Sequence, residues 1–265
     1  MSPTRILSIP GSINLRELGG YATESGQYLK WHKLLRSGSL GHLRHEAGDM
    51  LEDYGVIFDI DLRSDSEVQT RPDRIPRTIS YQQLSVYPFV DQQKGGLFKR
   101  LSKKLRGSSV EDQMADTYCQ MLTDSHANAT YEQLFDILLS NDHPEESVLF
   151  HCTAGKDRTG VAAMMIEGAL GVPEATIRED YLLTNLVLEA PDQMSHADLR
   201  HGANQFVNQM NAHQAETSNY DAIYDLINNQ YGSWEAYLTK QLRLSAGDLA
   251  DLRQLYLTDS PEPKD

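Results

Sequence analysis

The chain has little that would seat it in a membrane or tie it with disulfides. No apolar run in its 265 residues is long enough to cross a bilayer. The N-terminal stretch "MSPTRILSIPGSINLRELGG" lacks the apolar core and small-residue cleavage site of a secretory signal. Two cysteines, Cys119 and Cys152, are too few for a disulfide framework and suit a reducing compartment. The expected location is therefore cytoplasmic, with export by a route that uses no signal peptide left open. Prolines number 10 and hydrophobic residues make up 40%, which excludes a disordered chain. No repeat, low-complexity tract or interdomain linker stands out, so a single domain over 1–265 is expected.

Positive charge is scarce as well. Lys and Arg total 24 against 38 Asp and Glu, a net charge of -14. A field of that sign repels phosphate backbones, so no nucleic-acid partner is expected. Against this background the stretch "KGGLFKRLSKKLRG" (94–107) stands apart, because it is basic and holds no acid. Leu97, Leu101 and Leu105 recur at four-residue spacing, so a helix here would show an apolar stripe flanked by cations. Two readings fit: a solvated helix packed on the domain, or a lid that touches membrane surfaces transiently and draws in anionic lipid.

What is present reads as alternating strands and helices. Short stretches rich in apolar and β-branched residues at 5–9, 28–37, 56–62, 79–86 and 147–152 predict strands. Helical spacing appears at 45–54, 65–71, 109–125 and 128–141. Beyond residue 158 nearly everything reads helical, at 158–170, 173–190, 196–214, 219–231, 233–242 and 245–256. The pattern predicts an α/β fold with a central sheet covered by helices and a helical C-terminal half. Cys119 shares its helix with Met114 and Met121 and reads as a core filler. His196, His201 and His213 lack compact ligand spacing, so no metal is predicted.

One stretch carries chemistry. "HCTAGKDRTG" (151–160) lies between the strand-like "SVLF" and the helix-like "VAAMMI". A strand, a tight loop and a helix N-terminus aim backbone N–H groups and a positive helix end at one spot, which is a seat for a tetrahedral oxyanion. Cys152 would lie beneath the anion as a thiolate nucleophile. Arg158 can close over two phosphate oxygens with its planar fork. Thr159 can hydrogen-bond the sulfur, and Gly155 permits the tight turn. Thr153, Ala154, Gly155, Lys156 and Asp157 complete the phosphate-binding loop. His151 reads as a residue that fixes the loop and tunes the thiolate rather than as a base.

This loop resembles the signature of the protein tyrosine phosphatases, and its "GKDRTG" form resembles the atypical bacterial branch of the mycobacterial PtpB and listerial LipA type. "INLRELGGY" (13–21), "LLRSGSL" (34–40), "DLRSDSE" (61–67) and "YGSWEAYL" (231–238) match that branch in the same order, with Leu15 and Glu17 where it usually has Phe and Asp. The resemblance implies a tyrosine-phosphatase-like sheet with a lid, to which 191–219 would contribute. It implies metal-independent, cofactor-free hydrolysis of phosphomonoesters through a cysteinyl-phosphate. The implied substrates are phosphotyrosine, phosphoserine or phosphothreonine proteins and phosphoinositides, with Lys156 as an additional anion contact.

Three aspartates compete for the role of general acid, and the sequence contains no Trp-Pro-Asp loop. Asp157 leads, since the resembling branch has and uses an aspartate there. Asp61 follows, at the C-terminal end of a predicted strand, where open α/β sheets bind ligands; its favoured reading is nonetheless as a structural partner of Arg63 or Arg36. Asp124 comes third, although "TDSHANA" reads as a helix cap. A phosphate-binding pseudophosphatase is the chief rival, and the intact Cys152, Asp157 and Arg158 speak against it. An arsenate reductase would want further shuttle cysteines, and a sulfurtransferase loop does not call for "GKDRTG".

Overall fold

A computed structural model describes residues 5–89, 110–188, 210 and 213–262. Five strands form the main sheet: β1 (Arg16–Glu17), β3 (Leu34–Ser37), β4 (Val56–Asp61), β5 (Ser80–Gln83) and β6 (Ser147–His151). Their spatial order is β1-β3-β6-β4-β5. β3, β6, β4 and β5 run parallel, and only the edge strand β1 is antiparallel. A separate ribbon pairs β2 (Tyr28–Leu29) with β7 (Leu257–Thr258).

Residue alternation along the strands divides the core into two layers. Leu35 and Leu149 point to one face, against Ala47 and Leu51 of α1 (His45–Asp53). Leu34, Val148 and Phe150 point to the other face and join Leu134 of α4 (Ser125–Ser140) and Ile166 of α5 (Arg158–Ala169). α5 is buried nearly all round, which is why its sequence shows no polar stripe. The remaining helices are α2 (Asp65–Thr70), α3 (Val110–Thr123), α6 (Glu174–Leu188), α7 (Thr217–Gln230), α8 (Trp234–Gln241) and α9 (Ala246–Tyr256). Helices therefore cover both faces of a largely parallel sheet, as expected of the α/β class.

Some boundaries differ from the sequence reading. The single strand expected at 28–37 is two, because His32 takes a left-handed φ of 59° and turns the chain between β2 and β3. The strand expected at 5–9 is reduced to an isolated bridge between Ile6 and Arg16. β1 and β7 were too short, at two residues each, to show a period in sequence. The basic stretch 94–107, the helix expected at 196–214 and the lid at 191–219 fall largely or wholly outside the described residues. No helix among the described residues is long and apolar enough to cross a membrane.

Candidate active site

The loop from Cys152 to Asp157 joins the C-terminal end of β6 to the N-terminus of α5. Four successive carbonyls on it are held from outside. His151 Nδ1 lies 3.1 Å from the Cys152 oxygen, and the Ser39 amide donates to Thr153 O at 3.0 Å. Asn14 Nδ2 donates to Ala154 O at 3.1 Å and to Gly155 O at 3.0 Å. Arg36 Nη2 adds a second bond to Gly155 O at 3.0 Å. In a trans peptide the carbonyl and the next N–H point in opposite directions. Anchoring these oxygens outward therefore turns the N–H groups of Thr153, Ala154, Gly155 and Lys156 to the other side, a ready cradle for an anion.

Gly155 makes the bend with φ +68°, and a Cβ there would come within 2.5 Å of the Ser37 backbone. The Ala154 side chain packs with Ile13 and Leu188. Arg16 and Arg36 share the buried carboxylate of Asp180 on α6, with Arg16 Nε 3.0 Å from Oδ1 and Arg36 Nη1 in contact with Oδ2. "INLRE" and "LLRSGS" are thus the loop's scaffold.

Cys152 is fully buried. Burial pushes its thiol pKa up, but the Arg158 guanidinium and the Thr159 hydroxyl outweigh that and hold it below the ordinary thiol value. The Thr159 hydroxyl, itself buried, has no partner but the sulfur among the described residues. Arg158 forms a bidentate pair with Glu67 of α2, at 2.7 and 2.8 Å, and its guanidinium lies 4.9 Å from the Tyr87 ring centroid. Glu67 also accepts from Thr153 Oγ1 at 2.6 Å, Ser64 Oγ at 2.7 Å and the Ser64 amide at 3.0 Å. Burial would raise its carboxyl, yet Arg158, Thr153 and Ser64 hold it down at about 2. In the sequence Glu67 is marked only as the end of "DLRSDSE"; its helix-capping spacing from Ser64 is the available signal.

Asp157 occupies the N-cap position of α5 without capping it through its side chain. Its Oδ1 accepts instead from the Tyr118 hydroxyl on α3 and lies 3.6 Å from Lys156 Nζ. Lys156 differs from expectation. Its ammonium is fully buried and donates to the Met210 and His213 carbonyls, so the side chain supports the return of the chain to α7 rather than reaching into the anion cradle. A buried ammonium takes such oxygens because they replace its lost hydration.

The other two aspartates are engaged elsewhere. Asp61 ends β4 and takes a bidentate pair from Arg63 at 2.8 and 2.7 Å, plus the Tyr81 hydroxyl at 2.9 Å. Burial would raise its pKa, but the charges of His151 and Arg63 hold it below the usual carboxylate range. That arrangement is the structural role weighed for it. Asp124 is the N-cap of α4, accepting from the His126 and Ala127 amides.

His151 Nε2 faces Asp59 at 3.1 Å and Asp73 at 3.2 Å. Burial alone would lower its pKa, yet Asp73, Asp61 and Asp59 push it well above 6.5. Asp59, Asp73 and His151 are the one grouping among the described residues with metal-ligand proximity, their ligand atoms within 4.8 Å. Arg63 Nη2 lies 2.6 Å from Asp73 Oδ2, so that carboxylate already has a cationic partner. Cys119 is half-buried, its Sγ 3.6 Å from Ala222 O and its thiol pushed by burial up to about 11, an inert position.

The sequence profile of the Tyrosine phosphatase family matches residues 7–258. The chain is similar to a tyrosine-protein phosphatase of Nostoc commune, 31% identical over 226 residues, which is 83% of this chain and 72% of that protein. It is also similar to the triple specificity protein phosphatase PtpB of Mycobacterium tuberculosis, 30% identical over 199 residues, which is 68% of this chain and 69% of that one. The match spans the scaffold strands, the cysteine–arginine loop and the helices behind them: this chain belongs to the tyrosine phosphatase family.

Proposed function

We propose that the protein hydrolyses phosphomonoesters through a cysteinyl-phosphate, with Cys152 as nucleophile, Arg158 and the loop amides as the anion clamp, and Asp157 as general acid and then base. The Cys152 thiolate attacks phosphorus in line, forming the S–P bond as the P–O bond to the leaving group breaks. Asp157 gives its proton to the departing oxygen. Water then attacks phosphorus, Asp157 takes its proton, and the S–P bond breaks to release inorganic phosphate and the thiolate. The transition state is loose, so positioning and charge stabilisation supply most of the rate.

The observation that carries this reading is the lowered thiol of Cys152 beside Arg158, over a loop with four successive carbonyls tied back. Asp157 is favoured as acid because Asp61 and Asp124 are committed to Arg63 and to a helix cap. The substrate range we propose is phosphotyrosine first, with phosphoserine, phosphothreonine and phosphoinositides beside it. PtpB, named for triple specificity, and the basic stretch 94–107 support the wider range.

The test is turnover of phosphotyrosine, phosphoserine and phosphothreonine peptides and of phosphoinositide vesicles, in chelator, by the wild type, Cys152→Ser and Asp157→Asn. Chelator-resistant turnover that vanishes in Cys152→Ser is expected. Asp157→Asn should lose roughly 10²–10⁴-fold on poor leaving groups and far less on activated ones. Phosphate binding without turnover on any substrate would leave a binding module in place of the enzyme.

A further inference from the structure

We propose that Tyr118 is a positioning residue for the acid step, fixing the Asp157 carboxyl so that Oδ2 is the oxygen that meets the leaving group. This rests on the assignment of Asp157 as the acid. The geometry behind it is one-sided. The Tyr118 hydroxyl donates to Oδ1, Lys156 Nζ lies 3.6 Å from the same Oδ1, and neither contact uses Oδ2. Asp157 makes no side-chain cap bond to α5, so these partners hold it in place of the usual N-cap anchor.

Tyr118 is itself held. It is fully buried, its oxygen lies 2.9 Å from the Tyr181 hydroxyl, and the two rings meet edge to face at 6.1 Å. With Tyr118 donating to Asp157, Tyr181 donates to Tyr118, which gives a chain of hydroxyls with a defined direction. Burial pushes the phenol pKa well above 10, so the donor stays a donor at working pH. An Oδ1 that accepts from Tyr118 is a poor site for the acid's own proton, which therefore resides on Oδ2. As that proton leaves, negative charge grows on the carboxyl and the Tyr118 bond becomes charge-assisted, so it is stronger in the transition state than before it.

The experiment measures kcat/KM of wild type, Tyr118→Phe, Asp157→Asn and the double variant on aryl phosphates from p-nitrophenyl phosphate to phenyl phosphate. Inhibition by inorganic phosphate reports whether the loop is intact. Tyr118→Phe is expected to lose about tenfold on phenyl phosphate and less than about twofold on p-nitrophenyl phosphate, with phosphate inhibition unchanged. In the Asp157→Asn background it should lose nothing further, because there is no acid left to orient. A loss equal for all leaving groups, or undiminished in Asp157→Asn, overturns the proposal. If Asp157→Asn shows no leaving-group dependence, the acid assignment itself has failed. Should Tyr118→Phe not fold, Tyr181→Phe, which loosens the Tyr118 hydroxyl without touching Asp157, must give a smaller loss of the same leaving-group dependence; a uniform loss overturns the proposal.

Discussion

The Cys152 sulfur lies where two opposed effects meet. Its complete burial favours the neutral thiol, while Arg158 and the Thr159 hydroxyl favour the thiolate and prevail. Thr159→Val keeps the shape and removes the donor, so the midpoint of the pH dependence of iodoacetamide alkylation at Cys152 should rise toward that of a free thiol; an unmoved midpoint would show Arg158 acting alone. Arg158 in turn is held by Glu67 without substrate. Cys152, Arg158 and Thr159 were legible because they are neighbours in the chain and their spacing is their geometry. Glu67 lies 91 residues from Arg158, and no local pattern links an α2 carboxylate to it.

At the scale of elements, the loop is a product of what backs it. β3 and β6 run parallel, with Ser37 opposite His151, so the residues that follow β3 meet the residues that follow β6. That register brings Ser39 to Thr153 and Arg36 to Gly155, while Asn14 reaches Ala154 and Gly155 from just before β1. Asn14→Asp exchanges a donor for an acceptor facing two carbonyls. It should weaken phosphate inhibition and lower kcat/KM by about tenfold or more on every leaving group alike, since it loosens the cradle and not the acid. Loss confined to poor leaving groups would contradict this role. The longer elements were readable from period alone, unlike the two-residue strands β1 and β7. The division of 28–37 by His32 was not, because a left-handed residue that is not glycine leaves no mark in the apolar pattern.

At the scale of the whole molecule, charge is segregated. A net -14 opposes the approach of any phosphorylated substrate, and the loop's local positive potential works against that wider field. The basic stretch 94–107 is the largest exception in the sequence. Replacing Lys99, Arg100, Lys103 and Lys104 together by Gln should cut turnover on phosphoinositide vesicles by about tenfold or more and leave a soluble phosphotyrosine peptide within about twofold. Equal losses on both substrates would make the stretch a packed helix rather than a lipid-facing one.

The sequence alone determined the fold class and marked the contiguous cysteine–arginine loop in which we propose the nucleophile and the anion clamp, because hydrophobic period sets element type and a contiguous loop carries its own geometry. It also raised Asp157, Asp61 and Asp124 together, and no local rule could separate three carboxylates of the same kind. Only the tertiary structure gives the three different surroundings. It places Asp61 on Arg63 and Tyr81, Asp124 on a helix N-terminus, and Asp157 beside Tyr118 at the loop. It likewise turned Lys156 from the cradle to the Met210 and His213 carbonyls. What a charged side chain does depends on the partner it meets once water is gone, and those partners come from distant parts of the chain.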